Sequence, residues 1–149
     1  MLEAIKQKLL ALSQIDLKMV FLRVMANPGI QQQLVDFNKA QLNDEGVFAD
    51  GTPTGDYSPK TIAYKIRMGQ PYDHVTLRDT GATQDSMNVK IQEDGAVINA
   101  DTWKPGGDLG NRYPEMLGLT PESIDAIRPL FNEIFLMEYK KEITRIING

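Results

Sequence analysis

Met87-Asn88-Val89-Lys90-Ile91-Gln92-Glu93-Asp94-Gly95-Ala96-Val97-Ile98-Asn99-Ala100 is the stretch from which the fold is read. Met87, Val89 and Ile91 alternate with Asn88, Lys90 and Gln92, the period-two pattern of a half-buried strand. Asp94-Gly95 is a turn pair of the kind that closes β-hairpins, and Ala96 to Ala100 supplies the returning strand. A hairpin alone is marginal in water and needs a covering layer. The sequence on either side offers helices for that purpose.

Downstream, Lys104-Pro105-Gly106-Gly107-Asp108 reads as a loop. Thr120-Pro121-Glu122 combines a cap, a first-turn proline and an early acid, and so opens a long final helix. Ile124, Ile127, Phe131, Ile134, Phe135, Ile143 and Ile146 or Ile147 give that helix an apolar face. Pro129 is expected to kink or divide it. Upstream, Val75-Thr76-Leu77 fits a short strand after the Gln70-Pro71-Tyr72-Asp73 turn. Ser58-Pro59 caps a short helix running from Lys60 to about Met68. Before it lies a loop dense in Gly, Asp and Pro, Asp44 to Asp56, a candidate for ordering on binding.

The N-terminal third is helical. Leu2, Ile5, Leu9 and Leu12 share one helix face, and Leu17, Val20, Phe21 and Val24 another. Ser13 with Asp16 reads as a fresh N-terminus between them, and Pro28-Gly29 as the second helix's end. A third helix from Ile30 to about Asn43 has a weaker apolar face, with Leu34, Phe37, Ala40 or Gln41, and Leu42. The expectation is one α+β domain over residues 1–149, with N-terminal helices, a small antiparallel sheet with a central hairpin, and a long C-terminal helix across it.

Composition narrows the function classes. At 149 residues, with 42% hydrophobic and 24% charged residues, the chain can bury one core without metal or disulfide staples. Cysteine is absent, which excludes disulfides, thiol nucleophiles and thiolate zinc sites and fits a reducing compartment. Met1-Leu2-Glu3-Ala4-Ile5-Lys6 lacks the basic start and apolar run of a signal peptide. The cluster Met19 to Leu22 is far too short to span a bilayer. A net charge of −4 argues against nucleic-acid binding, and no run of Lys and Arg announces a basic patch.

Residues able to do chemistry are few. The single histidine, His74, has only Asp73 immediately beside it as a potential co-ligand, so a locally hydrogen-bonded role is expected. Asp44, Asp50 and Asp56 place oxygen ligands in one Gly-rich stretch, but without the alternate-position spacing of a calcium loop. Glu115, Glu122 and Asp79 are the carboxylates a hydrolase would need, and nothing in their spacing distinguishes them. Gly106-Gly107-Asp108-Leu109-Gly110 neither follows a buried strand closely nor opens a helix, which speaks against a phosphate cradle. Trp103, Tyr113, Tyr72, Tyr57 and Tyr64 are scattered along the chain rather than interleaved with cations. No catalytic residues, cofactor or metal site are expected.

Three stretches resemble a known group. Leu77-Arg78-Asp79-Thr80-Gly81, followed by Ser86 and Val89, is similar to an element of bacteriophage tail-completion and neck proteins, the virion-morphogenesis group. Tyr57-Ser58-Pro59-Lys60-Thr61 with Lys65 resembles that group's tyrosine turn and lysine-bearing helix. Leu117-Gly118-Leu119-Thr120-Pro121-Glu122 resembles its closing element, in the same order. The basic, proline-containing turn that usually precedes this last element is only partly supplied by Arg112-Tyr113-Pro114. The resemblance implies a structural protein of the head–tail junction that makes rings with copies of itself and binds other virion proteins of neck and tail. It implies no cofactor, no membrane and no nucleic-acid specificity, and a location in the host bacterial cytoplasm during assembly and then in the virion. The family-like positions are Tyr57, Thr61, Lys65, Leu77, Thr80, Gly81, Ser86, Leu117, Gly118 and Leu119. A small adaptor binding one host protein is the alternative reading, and a carboxylate-dependent hydrolase the third.

Overall fold

Seven helices and two small antiparallel sheets make up the computed structural model, which describes residues 1–149. The α+β class expected from the hairpin and the helical periodicities is the class observed. The helices are α1 (Leu2–Ser13), α2 (Leu17–Met25), α3 (Pro28–Ala40), α4 (Pro59–Arg67), α5 (Ala82–Asp85), α6 (Leu109–Arg112) and α7 (Pro121–Asn148). Strands β1 (Asn88–Gln92) and β2 (Gly95–Asn99) form the hairpin, and β3 (Trp103–Lys104) and β4 (Gly107–Asp108) a second, minimal one.

Helix starts follow the side chains able to cap them. Asn27, Ser58 and Thr120 each accept a hydrogen bond from the first turn of α3, α4 and α7, with proline as the next residue. Two boundaries differ from expectation. Asp16 rather than Ser13 caps α2, accepting from the Lys18 and Met19 amides, while the Ser13 hydroxyl turns back to the Leu10 carbonyl. Pro28 does not merely end α2; it starts α3, because the Asn27 side chain reaches the Gly29 and Ile30 amides.

The hairpin pairs Gln92 with Gly95, so its two turn residues are Glu93 and Asp94, one position earlier than the Asp94-Gly95 reading. Neither has a positive φ, so the turn is not of the primed type that Asp-Gly usually signals. The strand expected at Val75–Leu77 does not form. Leu77 sits at φ +57°, and a side chain rather than a strand takes the Thr76 carbonyl, which accepts from Gln84 Nε2 at 3.0 Å. The loop expected at Lys104–Asp108 is the β3–β4 turn, and its last residue caps α6. Pro129 does not divide α7: the helix runs 28 residues, about 42 Å. The carbonyl that loses its partner is that of exposed Asp125, where water can substitute.

Helix α3 sits between two small apolar clusters. On one side Val24, Met25 and Ile30 are packed by Phe21, Leu34, Ala96 and, from α7, Leu130, Phe131, Ile134 and Phe135. On the other, Val35, Leu42 and Met87 are packed by Phe48, Leu77, Val89, Ala100 and Leu117. The long helix therefore lies against α2 and α3 more than across the sheet. Several residues of the apolar faces point outward: Leu2, Ile5, Leu9, Leu17, Ile91, Ile124 and Ile147 are exposed, and α1 buries no residue at all.

Two buried amide side chains join the clusters. Asn38, wholly buried, donates to the Met116 carbonyl at 2.9 Å and accepts from the Gly118 amide at 2.8 Å. Gln41 donates to the Gly118 carbonyl and accepts from the Thr120 amide, both at 2.9 Å. Gln41 opens a π-helical turn, Gln41–Glu45, that continues α3. The segment before α7 is thus held as a strand would hold it, by alternating donors and acceptors. Asn38→Ala is expected to lower stability by about 2–3 kcal/mol, since it strands a buried N–H and C=O. Exposed Gln32→Ala is expected to stay within about 0.5 kcal/mol. Urea denaturation of both variants measures the difference.

A second clasp ties α2 to α7. Glu142, 4% exposed, receives Arg145 at 2.5 Å and Arg23 at 3.0 Å. The Arg145 hydrogen bond first, and that of Arg23 second, hold its carboxyl at about 2 rather than in the usual range near 4.5. A depressed folded-state pKa contributes stability above the unfolded value and loses it as pH falls toward the folded one. Wild-type stability should decline between about pH 4.5 and 2 partly through this group. Glu142→Gln is expected to flatten that limb and to lower the melting temperature at pH 7 by a few degrees, as thermal scans across pH would record.

Candidate functional site

Four of the family-like positions, Tyr57, Thr61, Lys65 and Leu77, line one cleft of about 280 Å³ together with Tyr64, Arg78, Asp79, Lys104 and Leu109. Helix α4 forms one wall, placed by the Ser58 cap, whose hydroxyl accepts from the Thr61 amide. The segment Thr76–Asp79 forms the floor. Tyr57 fixes it: the phenol oxygen accepts from the Thr76 amide at 2.9 Å and lies 3.1 Å from the Thr76 hydroxyl. Gln84 completes the anchor through Thr76 and through a reciprocal amide pair with Asn43. The left-handed φ of Leu77 is then over-determined by its neighbours, as strained residues in functional loops are.

Lys65 is the unusual member. It is 5% exposed, and its ammonium donates to the Arg78 carbonyl at 3.2 Å and to Gln70 Oε1 at 3.3 Å, with the Tyr57 ring centroid 4.7 Å away. All three partners are neutral, so the charge is solvated by protein dipoles and a π face, with no carboxylate in ion-pairing range.

The other family-like positions lie around this cleft or away from it. The Thr80 hydroxyl accepts from the Ala82 amide and Gly81 takes φ +89°, turning the chain into α5. A Cβ on Gly81 would meet the Arg78 guanidinium at 3.5 Å. Ser86 donates to the Thr83 carbonyl and accepts from the Asp101 amide, tying α5 to the exit of the hairpin. Leu117, Gly118 and Leu119 border a separate groove of about 330 Å³ that is apolar apart from Gly118, with Met25, Leu34, Val89, Ile98 and Ile124. Gly118 has φ +133° and approaches Ala49 so closely that a Cβ would lie 3.0 Å from the alanine's. Seven of the ten positions thus fall into two places, and Thr80, Gly81 and Ser86 line neither.

The remaining candidates have structural partners. His74 is not held only locally: its Nε2 lies 3.1 Å from the carbonyl of Leu42, 32 residues away, and its ring packs on Gly46. The Asp50 carboxylate accepts from the Thr52 hydroxyl and amide, and the hydroxyl bond chiefly holds its carboxyl below the usual range. Asp108 does open a helix, contrary to expectation, but a single-turn one. Its carboxylate is bound by the Thr102 hydroxyl at 2.5 Å and the Gly110 amide at 2.7 Å, and the former chiefly depresses its pKa. Glu115, Glu122 and Asp79 are exposed, and only Asp79 borders either cleft.

Sequence reading missed the pairing of aromatics with cations. Lys65 stands over Tyr57, Arg67 over Tyr64 and Arg112 over Tyr113. The spacing Tyr64-Lys65-Ile66-Arg67 and the adjacent pair Arg112-Tyr113 are the local signals, whereas Arg78 and Lys104 reach the cleft from distant segments. Compared with protein-family models, curated proteins and solved structures, the chain gives no significant match. No helix is long and apolar enough to cross a membrane. Lys65→Met, which keeps the stem and removes the donors, is expected to speed amide exchange at least tenfold across residues 76–81. Exchange in α7 should stay within twofold, as hydrogen–deuterium exchange resolved by peptide would show.

Proposed function

We propose that the chain is a structural subunit of a bacteriophage or prophage virion, placed at the head–tail junction and working through contacts with its own copies and with neck and tail proteins. The observation that carries this reading is the surface the fold leaves uncovered. The solvent-accessible area is 9690 Å². A monomer of 16.7 kDa is expected to show about 7,600 Å². The excess, roughly 2,000 Å², is enough for two standard contacts of about 800 Å² per partner, as a ring subunit makes with its two neighbours.

Much of that surface is apolar. Leu2, Ile5, Leu9 and Leu10 of α1 are each at least half exposed, as are Leu136 and Met137 of α7. The periodicity of α1 is that of a helix with a partner, and within the chain it finds only a partial one, including a bond from Lys8 to the Ile147 carbonyl. Four of the ten family-like positions sharing one cleft adds support from the sequence side. No cofactor enters the proposal, and its setting is the host cytoplasm and then the virion. A one-to-one adaptor needs only about half of the uncovered area.

Light scattering over a concentration series tests this. The wild type is expected to give a defined oligomer or reversible growth in mass. Ile5→Glu with Leu9→Glu, both at exposed positions, is expected to shift the protein toward monomer without changing its circular dichroism. A monomer at every concentration, unaffected by the double substitution, would remove self-assembly and leave the adaptor reading.

A further inference from the structure

Four clefts join into one face. The Tyr57–Lys65 cleft shares Thr61 and Tyr64 with a groove along α4, Lys104 and Leu109 with a groove around the β3–β4 turn, and Arg78 and Asp79 with a pocket beside Asn43 and Asp44. Six cations border this face: Lys60, Lys65, Arg67, Arg78, Lys104 and Arg112. Three carboxylates do, Asp44, Asp79 and Asp108. Asp108 is already engaged by Thr102 and Gly110. None of the six cations is in an ion pair, and of the ten cations off the face Arg23, Arg128, Lys141 and Arg145 are paired. The face is thus +3 on a chain of net charge −4, which leaves −7 on the rest.

A folded chain with 20 acidic residues had ample means to neutralise these groups internally. Lys65 sharpens the point. Burying an ammonium is costly unless it is paired, yet its partners are a carbonyl, an amide oxygen and a ring. Its field therefore extends into the cleft. Arg78, exposed at the rim, supplies the planar fork that suits a carboxylate.

We propose that this face docks an acidic segment of a partner protein, whose carboxylates supply the counter-charges that Lys65, Arg78 and Lys104 lack. A short segment suits it better than a polynucleotide. Duplex DNA carries a charge every 1.7 Å or so and would run past the face onto a surface bearing −7. The inference rests on the assembly reading only in taking the partner to be a protein. Its test reads ligand binding rather than oligomer mass, so the two fail separately.

The test uses the full chain and a fluorescein-labelled hexaglutamate peptide, followed by anisotropy at low salt and at 150 mM salt. The wild type is expected to bind and to weaken at least fivefold at the higher salt. Arg78→Glu with Lys104→Glu should weaken binding at least tenfold. Arg78→Gln with Lys104→Gln, a milder pair that guards against misfolding, should weaken it by several-fold. Lys140→Glu with Lys141→Glu on α7 changes net charge equally and should stay within twofold. Equal losses from the two charge-reversed pairs would overturn the proposal, as would absence of binding at low salt. Tighter binding of a 20-base-pair DNA duplex, abolished by the same Arg78 and Lys104 changes, would overturn it in favour of a nucleic-acid surface.

Discussion

The fold depends on two side-chain amides doing the work of a strand. Asn38 and Gln41 project from one turn of α3 and its π-helical extension, and between them bind Met116, Gly118 and Thr120. Without them the backbone before α7 would be buried with orphaned polar groups, each costing more than a typical hydrogen bond contributes. Thr120 is also the cap of α7, accepting from the Ser123 amide. The position of the longest helix is therefore set from within α3. Gln41 also opens the π turn, whose second residue, buried Leu42, packs in the Met87 cluster.

The cleft obeys the same logic in a second place. Where the sequence suggests a strand at Val75–Leu77, the backbone from Val75 to Arg78 is instead satisfied by the Gly55 carbonyl and by the side chains of Tyr57, Gln84 and Lys65. These side chains specify a single loop path, and they leave the carbonyl of Arg78 facing the ammonium of Lys65. Polar networks of this kind are rigid when every member is satisfied. Thr54 is the one buried side chain whose hydroxyl has no partner.

Legibility in the sequence follows range of interaction. Caps at Ser58 and Thr120 and the alternation in the hairpin are short-range, and they place the starts of α4 and α7 and the main sheet. The turn slipped by one because Asp94-Gly95 suggests a primed turn, whereas the register places Glu93 and Asp94 in an unprimed one. Asn38 carried no signal and Gln41 stood only as an alternative to Ala40 on a weak apolar face, since an amide's distant partner leaves no periodic trace. The apolar face of α1 was legible and its exposure was not, because periodicity reports that a helix has an apolar side, not that the same chain covers it. Of the cleft, Tyr57, Thr61, Lys65 and Leu77 were reachable through motif order. Arg78 stood in the quoted motif without a role, and Lys104 looked like a loop lysine.

These two economies, amides in place of strands and loops in place of a larger sheet, explain why so much surface stays open. A chain of this length usually covers its apolar groups with a broad sheet or a closed bundle. Here the sheets have two strands each, α1 is barely packed, and only 21 residues are buried. The uncovered surface is sorted by chemistry, with apolar side chains on α1 and α7 and unpaired cations on α4, Arg78 and the β3–β4 turn. The sorting matters because the two kinds of contact respond differently to solution conditions: salt screens charge–charge attraction but leaves apolar association largely intact. On the proposed reading, a chain so divided holds its own copies by one face and an acidic partner by the other, and the strength of either contact can change without the other being lost.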